Sequence, residues 1–424
     1  MPRIFGAMPP KPPDIDALPL FQGKAERARG LLLYIHEPFC RSRCAYCSFH
    51  SQVMNEVTFS WYVKLLTQEI ELWGRRLRHP ALATVYFGGG TPSLLSLDQV
   101  ARIMDGLRKH FAFGERMEIT FEANPESTQD VSWFRGLLSL GVNRLSLGVQ
   151  SLTDKDLARL GRPHNAAMAV SAYEQARRAG FANISLDFIW GLPGQRLKTW
   201  LDQLKTVARL GPEHLSCYNL TIEEGTPLHR QAQEVDLELA SDQEQGKMFI
   251  YGAELLESLG YFQYEISNFA RMGFEAVHNR GYWEGRDYLG LGPSAVTTIG
   301  SRRFRNPLFM DEYDASVRGG VTGMEFEELD EPTRLKEWIM LSLRTSKGLD
   351  LVEHRKRAGF DLVKSYEKLV QALIHNDLAR INRGRLRLTK QGMLVSNVIM
   401  ERIALADPPA GARAPGGEQG AARP

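Results

Sequence analysis

Six short apolar runs rich in β-branched residues, at 31–35, 84–87, 118–121, 144–149, 184–189 and 214–220, recur with helix-length segments between them. This alternation constrains the fold more than any other feature. Strands separated by helices pair in parallel through right-handed crossovers. Between the first two runs, Trp61, Leu65, Leu66, Ile70 and Trp73 fall on one helical stripe. Further helices are expected at 97–110, 132–140, 166–179 and 197–210. Six units fall short of the eight that close a barrel. The expected class is therefore α/β, a partial (β/α)6 TIM-like barrel over residues 29–240.

Directly after the first run stand Cys40, Cys44 and Cys47, three of the four cysteines in 424 residues. Thiolates this close suit soft or borderline metals, iron–sulfur clusters above all. The spacing also fits one face of a helix, although Pro38, Arg41 and Arg43 oppose a buried helix start. Cys44 and Cys47 alone make a redox-type pair, which leaves Cys40 without a role. A structural zinc site normally takes four ligands, and only His36 or His50 is close in the chain. A cluster held by three cysteines leaves one iron open to a substrate or cofactor. Cys217, on the sixth run, reads as a buried small residue.

The remaining motifs follow later strands. Gly88 to Ser93 (GGGTPS) follows the second run, and glycines there let backbone amides and carbonyls approach a ligand. Glu122 and Asn124 close the third run, Gln150 the fourth, Arg162 lies in the next loop and Asp187 on the fifth. Singly, each has a plain explanation as a turn, a cap or an ion-paired strand end. Together they place polar groups on one rim, where barrel sites lie.

A net charge of +2, with 24% charged and 43% hydrophobic residues, gives no general drive toward nucleic acid or an anionic membrane. No stretch approaches the roughly 20 apolar residues of a membrane span, and the N-terminal twenty residues lack a signal peptide's apolar core. A cytoplasmic location, which keeps thiolates reduced, is expected. Beyond the barrel the chain divides into a proline-rich extension at 1–28, a mainly helical barrel-covering segment at 241–331, and a winged-helix-like C-terminal domain at 332–404. A tail rich in Pro, Gly and Ala at 405–424 is expected to be disordered. Residues 379–389 read as a basic β-hairpin around Arg383 and Gly384. It lacks interleaved stacking aromatics, so a lid or partner-docking role is expected over nucleic-acid binding.

The pattern Cys-x3-Cys-x2-Cys, with Tyr46 before the last cysteine, resembles the radical S-adenosylmethionine (SAM) superfamily. The stretches FGGGTPSLL, FEANPES, RLSLGVQS, GLPGQ and TIEEGTPL extend a resemblance to the oxygen-independent coproporphyrinogen oxidase family from about residue 31 to 404. The resemblance implies a [4Fe–4S] cluster on Cys40, Cys44 and Cys47, whose open iron chelates SAM for reduction to a deoxyadenosyl radical. It implies SAM contacts at Tyr34, Gly89, Gly90, Thr91, Glu122, Gln150, Arg162 and Asp187, with Tyr46 and Thr221 as weaker members. That family carries two SAM molecules, so the set need not touch one.

Two features separate the branches. Phe49 stands where the oxidases have a further cysteine, and His278, Asn279, Tyr282 and Trp283 match the HNxxYW pattern of the heme-chaperone branch. Ser48 and Glu37 depart from that branch, which usually has aspartate and an apolar residue there. The branch implies heme as cargo, delivered to apo-hemoproteins such as respiratory cytochromes, with His278 as the candidate heme ligand. His164 and His36 are alternatives, and a packed core turn is the other reading of the motif. The basic run at 301–305 suits porphyrin propionates or a solvated edge. Rival activities are decarboxylation of coproporphyrinogen III and radical methyl transfer. A homodimer and peripheral contact with membrane hemoproteins are further expectations. The electron donor and the fate of SAM are not implied.

Overall fold

The computed structural model describes residues 30–404 except 50, 54–55, 129 and 321–322. His50 and the expected N-terminal extension and C-terminal tail lie outside the described residues.

All six apolar runs are strands: β1 (Leu31–Glu37), β2 (Ala81–Gly89), β3 (Ala112–Ala123), β4 (Arg144–Gln150), β5 (Ile184–Trp190) and β6 (His214–Asn219). Each is parallel to its successor. The helices between them are α1 (Glu56–Arg76), α2 (Leu97–His110), α3 (Val131–Ser139), α4 (Ala166–Ala179) and α5 (Leu197–Leu210). Their ends are locally encoded. Ser96 and Gln99 form a reciprocal capping box on α2, and Asn165 caps the start of α4 while Gly180 ends it in a left-handed conformation. Trp73, Trp133 and Trp200, from α1, α3 and α5, are fully buried against the sheet. The fold is a partial (β/α)6 barrel.

After residue 240 helix outweighs strand, as expected, although the sequence gives no sign of the short strands there. Helices α6 (Asp242–Ser258), α7 (Val277–Trp283) and α8 (Met310–Arg318) are present, but six strands lie among them. These are β7 (Phe262–Gln263), β8 (Asn268–Ala270), β9 (Tyr288–Leu291), β10 (Val296–Ile299), β11 (Arg302–Arg305) and β12 (Met324–Glu328). They extend both sheet edges, giving the order β12-β11-β10-β9-β1-β2-β3-β4-β5-β6-β8-β7. Strands of two to five residues carry too little alternation to be seen in sequence; their partners define them. The glycine-rich stretch at 288–295 begins as β9, parallel to β1. Gly292, at φ +96°, passes so close to β1 that a Cβ would lie 2.4 Å from the His36 carbonyl oxygen.

The C-terminal part contains α9 (Glu331–Leu343), α10 (Leu351–Ala358), α11 (Glu367–His375) and α12 (Ser396–Ala404) with two shorter helices. A small sheet joins β13 (Leu349–Asp350), β15 (Arg385–Leu388) and β14 (Ala379–Asn382) in that order. Its hairpin turns at Arg383 and Gly384, both at positive φ. Among the described residues, no helix is long and apolar enough to cross a membrane.

One buried carboxylate ties the added strands to the barrel. Glu69 of α1 accepts hydrogen bonds from the Gly292 amide (2.8 Å), Asn306 Nδ2 (2.7 Å) and Tyr313 Oη (2.6 Å). Burial nonetheless pushes its pKa up to about 7. A carboxyl raised in the folded state stabilises most below its unfolded pKa, and that contribution is lost as pH rises through 7. Thermal midpoints are therefore expected to fall between pH 5 and pH 8. Glu69→Gln should flatten this slope by up to about 3 kcal/mol. A slope identical in both proteins would refute the assignment.

Candidate functional site

The carboxyl ends of β1–β6 open on a cavity of about 370 Å³. Across its mouth runs the cysteine loop, anchored by backbone bonds from the Ala45 amide to the Leu160 carbonyl and from the Leu228 amide to the Ala45 carbonyl. Cys40, Cys44 and Cys47 are half-buried, free of disulfides, and line the cavity. The Thr91 hydroxyl donates to Cys40 Sγ at 3.5 Å, and Arg162 Nη1 to Cys44 Sγ at 3.3 Å. Burial pushes the thiols of Cys40 and Cys47 up. Among the described residues, no three His, Cys, Asp or Glu side chains converge on the position of a single metal ion.

Glu37, read from the sequence only as a departure, organises the rim. Its fully buried carboxylate accepts from the amides of Phe39 (3.0 Å) and Thr91 (2.9 Å). Burial lifts its pKa to about 8. These bonds couple the cysteine loop to the glycine loop, and a Cβ on Gly90 would lie 2.4 Å from the Phe39 carbonyl oxygen. Only glycine fits there.

Gly89, Gly90 and Thr91 form one wall of the cavity, with Glu122, Gln150 and Arg162 beside them. Gln150 adopts φ +64°, a left-handed backbone rarely used by non-glycine residues. Arg162 is tied down by Asn124 Oδ1 at 2.8 Å, the Gly148 carbonyl at 3.3 Å and Glu126 at 3.4 Å. Asp187 accepts from three serine hydroxyls, Ser146 and Ser185 at 2.8 Å and Ser216 at 2.6 Å. Burial raises Glu122 to about 7, against the 2.6 Å hydrogen bond donated by Tyr86. Tyr46 and Thr221 also line the cavity. Tyr46 packs with Leu160, Ile189, Leu192 and Leu220, and burial pushes its phenol up.

Two of the expected site residues do not line this cavity. Tyr34 is absent from this lining; its hydroxyl sits 3.2 Å from His36 Nδ1 and its ring lies beside Tyr86 and His278. His278 is 1% exposed, with Nδ1 2.6 Å from Thr84 Oγ1. Its amide and that of Val277 donate to Glu118, capping α7, and burial depresses the imidazole to about 3. The ring lines neither the cysteine-lined cavity nor the larger one beside α7, and its Nε2 has no hydrogen-bond partner among the described residues. Both ring nitrogens of His164 are engaged, by Glu126 and the Val149 carbonyl. The sequence reading missed Arg144, 1% exposed in the cavity lining with Nε and Nη1 unpartnered. The available signal was the period-two spacing of Arg144, Ser146, Gly148 and Gln150, which sets them on one face of β4.

Residues 34–207 match the radical SAM superfamily, and residues 329–395 the HemN C-terminal domain. The heme chaperone HemW of Mycobacterium tuberculosis H37Rv is 32% identical over 88% of this chain and 94% of its own. That of Bacillus subtilis is 33% identical over 86% and 97%. The chain belongs to the HemW family. Among solved structures, the radical SAM enzyme coproporphyrinogen III oxidase (HemN) of Escherichia coli superposes with a TM-score of 0.76 at 26% identity. The match covers 90% of this chain and 91% of that one.

Membership of the HemW family implies a [4Fe–4S] cluster and SAM as cofactors, with heme as cargo. The site fits such a cluster. Three free thiols line one cavity, and two of their sulfurs receive N–H or O–H donors of the kind that tune cluster thiolates.

Proposed function

We propose that this chain binds heme and delivers it to apo-hemoproteins, and that Cys40, Cys44 and Cys47 hold a [4Fe–4S] cluster with SAM at its open iron. The observation that carries this reading is the cavity itself, where three thiols and no fourth cysteine stand at a barrel mouth. Phe49 is exposed in the lining at the position that a further cysteine would take in the oxidases.

When bound, the cluster and SAM would supply one-electron chemistry. The chain's own groups hold and orient them. Thr91 and Arg162 offset thiolate charge, and the Gly89–Thr91 backbone approaches the cofactor. Glu122, Asp187 and Gln150 present polar groups at the wall and floor, and Tyr46 excludes water. The proposed division of labour gives residues 29–240 to the cofactors, 241–331 to cover the barrel, and 332–404 to docking. Respiratory cytochromes are the proposed class of recipient, reached in the cytoplasm by peripheral contact with membrane hemoproteins, and a homodimer is the proposed assembly.

The similarity to coproporphyrinogen III oxidase supports a second reading, decarboxylation of that substrate. One anaerobic experiment separates the two. The reconstituted protein is titrated with heme and offered an apo-cytochrome; in parallel it receives coproporphyrinogen III, SAM and reductant. Stoichiometric heme binding and transfer without protoporphyrinogen are expected. Turnover to protoporphyrinogen would replace the chaperone reading.

A further inference from the structure

One face of β4–β6 carries a polar chain that the cofactor reading leaves unused. Ser146, Ser185 and His214 are neighbours across the sheet, as are Asp187 and Ser216. Period-two alternation sets all five on the same side. Asp187 lines the cysteine-lined cavity, whereas Ser185 and His214 lie behind it, fully buried. Polar groups buried there cost free energy unless every partner is supplied, and here each is.

The bonds run in one direction. Ser185 and Ser216 donate to Asp187 Oδ1 at 2.8 and 2.6 Å, and Ser146 donates to Oδ2 at 2.8 Å. A serine hydroxyl has a single proton to donate, and that of Ser185 goes to the carboxylate. Its oxygen therefore accepts from His214 Nδ1, 2.8 Å away. The imidazole proton is thus on Nδ1, and Nε2 is left bare at 2.8 Å from Tyr264 Oη. The phenol imposes the same polarity from the other end. Its oxygen accepts from the Ala276 amide, and among the described residues His214 Nε2 is the acceptor left for its proton. Burial, and then the Arg144 guanidinium of β4, keep the imidazole from charging, so a single tautomer has to be chosen. A carboxylate offers about four acceptor positions. Serines fill three at Asp187, and one on Oδ2 remains for a donor.

Building on the SAM reading of this cavity, we propose that His214 is a positioning residue for Asp187. It donates through Nδ1 to Ser185, commits that hydroxyl proton to the carboxylate, and leaves Asp187 with one acceptor position for a hydroxyl or amino donor of the ligand. With the opposite tautomer, Ser185 would turn its proton to Nδ1 and Asp187 would lose a fixed donor.

The test uses the full chain. With its histidine ring nitrogens isotope-labelled, the protein should show at neutral pH one imidazole with Nδ1 protonated and Nε2 bare. Its loss in His214→Asn, or its shift in Ser185→Ala, identifies it as His214. A proton on Nε2 would overturn the proposal, and it is read on the unaltered chain, where no folding defect intrudes. SAM binding is then titrated on the cluster-reconstituted protein. His214→Leu and His214→Asn remove the same ring and differ in the donor near the Nδ1 position, so their packing losses match. His214→Leu and Ser185→Ala should each weaken SAM binding about tenfold, while His214→Asn stays within about twofold of the parent. The double variant should bind no more weakly than either single one, because the histidine acts through the serine. Equal affinities for His214→Leu and His214→Asn, or additive losses in the double variant, would reduce His214 to a packing residue. If the unaltered protein fails to bind SAM, the SAM reading of the cavity falls, and the proposal with it.

Discussion

Cys44→Ala is expected to abolish cluster assembly, lowering iron and sulfide per chain by at least about tenfold after anaerobic reconstitution. Each thiolate of a three-cysteine cluster holds its own iron, so two thiols cannot replace three. The substitution also strips Arg162 Nη1 of its sulfur acceptor at 3.3 Å, leaving a buried guanidinium less well paired. The fold should survive, because the loop lies at the rim while the core is built from strand and helix faces. Iron content and visible absorption, read beside far-ultraviolet circular dichroism, check both halves. A full cluster in the variant would show that the ligand set is wrong.

Arg162→Ala should have the second largest effect, because one side chain serves four acceptors. Its guanidinium bridges Cys44, Asn124, the Gly148 carbonyl and Glu126, linking the cysteine loop to the ends of β3 and β4. Removing it should lower cluster loading and SAM affinity by about tenfold to a hundredfold. Glu126 would keep His164 at 2.9 Å but lose its cation. Against the effect of burial, the His164 hydrogen bond first and the Arg162 charge second hold that carboxyl below its ordinary range, and the second would be lost; breaking such a buried ion pair costs about 3 kcal/mol. Arg162→Lys should rescue little, since one ammonium cannot span acceptors set around a planar fork. Iron content, equilibrium SAM binding and the thermal midpoint give three separate readouts. Full rescue by lysine would reduce Arg162 to a simple countercharge.

The legible parts of the site were those in which chemistry is carried by short local motifs at strand ends. Thr91, Glu122, Gln150, Arg162 and Asp187 come from five different stretches of chain, yet parallel topology brings their strand ends to one rim. Tyr34 shares a sheet face with its β2 partner Tyr86, which lines the cavity, and sits beside His36 and His278. Glu37 was visible as an odd residue. Its purpose emerged only with the two amides that it binds across a loop.

The strand–helix rhythm, the capped helix ends and the cysteine spacing could all be read from the chain alone. Periodicity, capping and ligand spacing are local properties that any contiguous stretch displays. The edge strands after residue 240, the burial of His278 and the chain of hydrogen bonds behind Asp187 could not. Glu118 meets the His278 amide from 160 residues away, and Glu69 meets Gly292 from 223. Such partners are chosen by burial, which penalises every unpaired polar group until the whole chain has been folded around it.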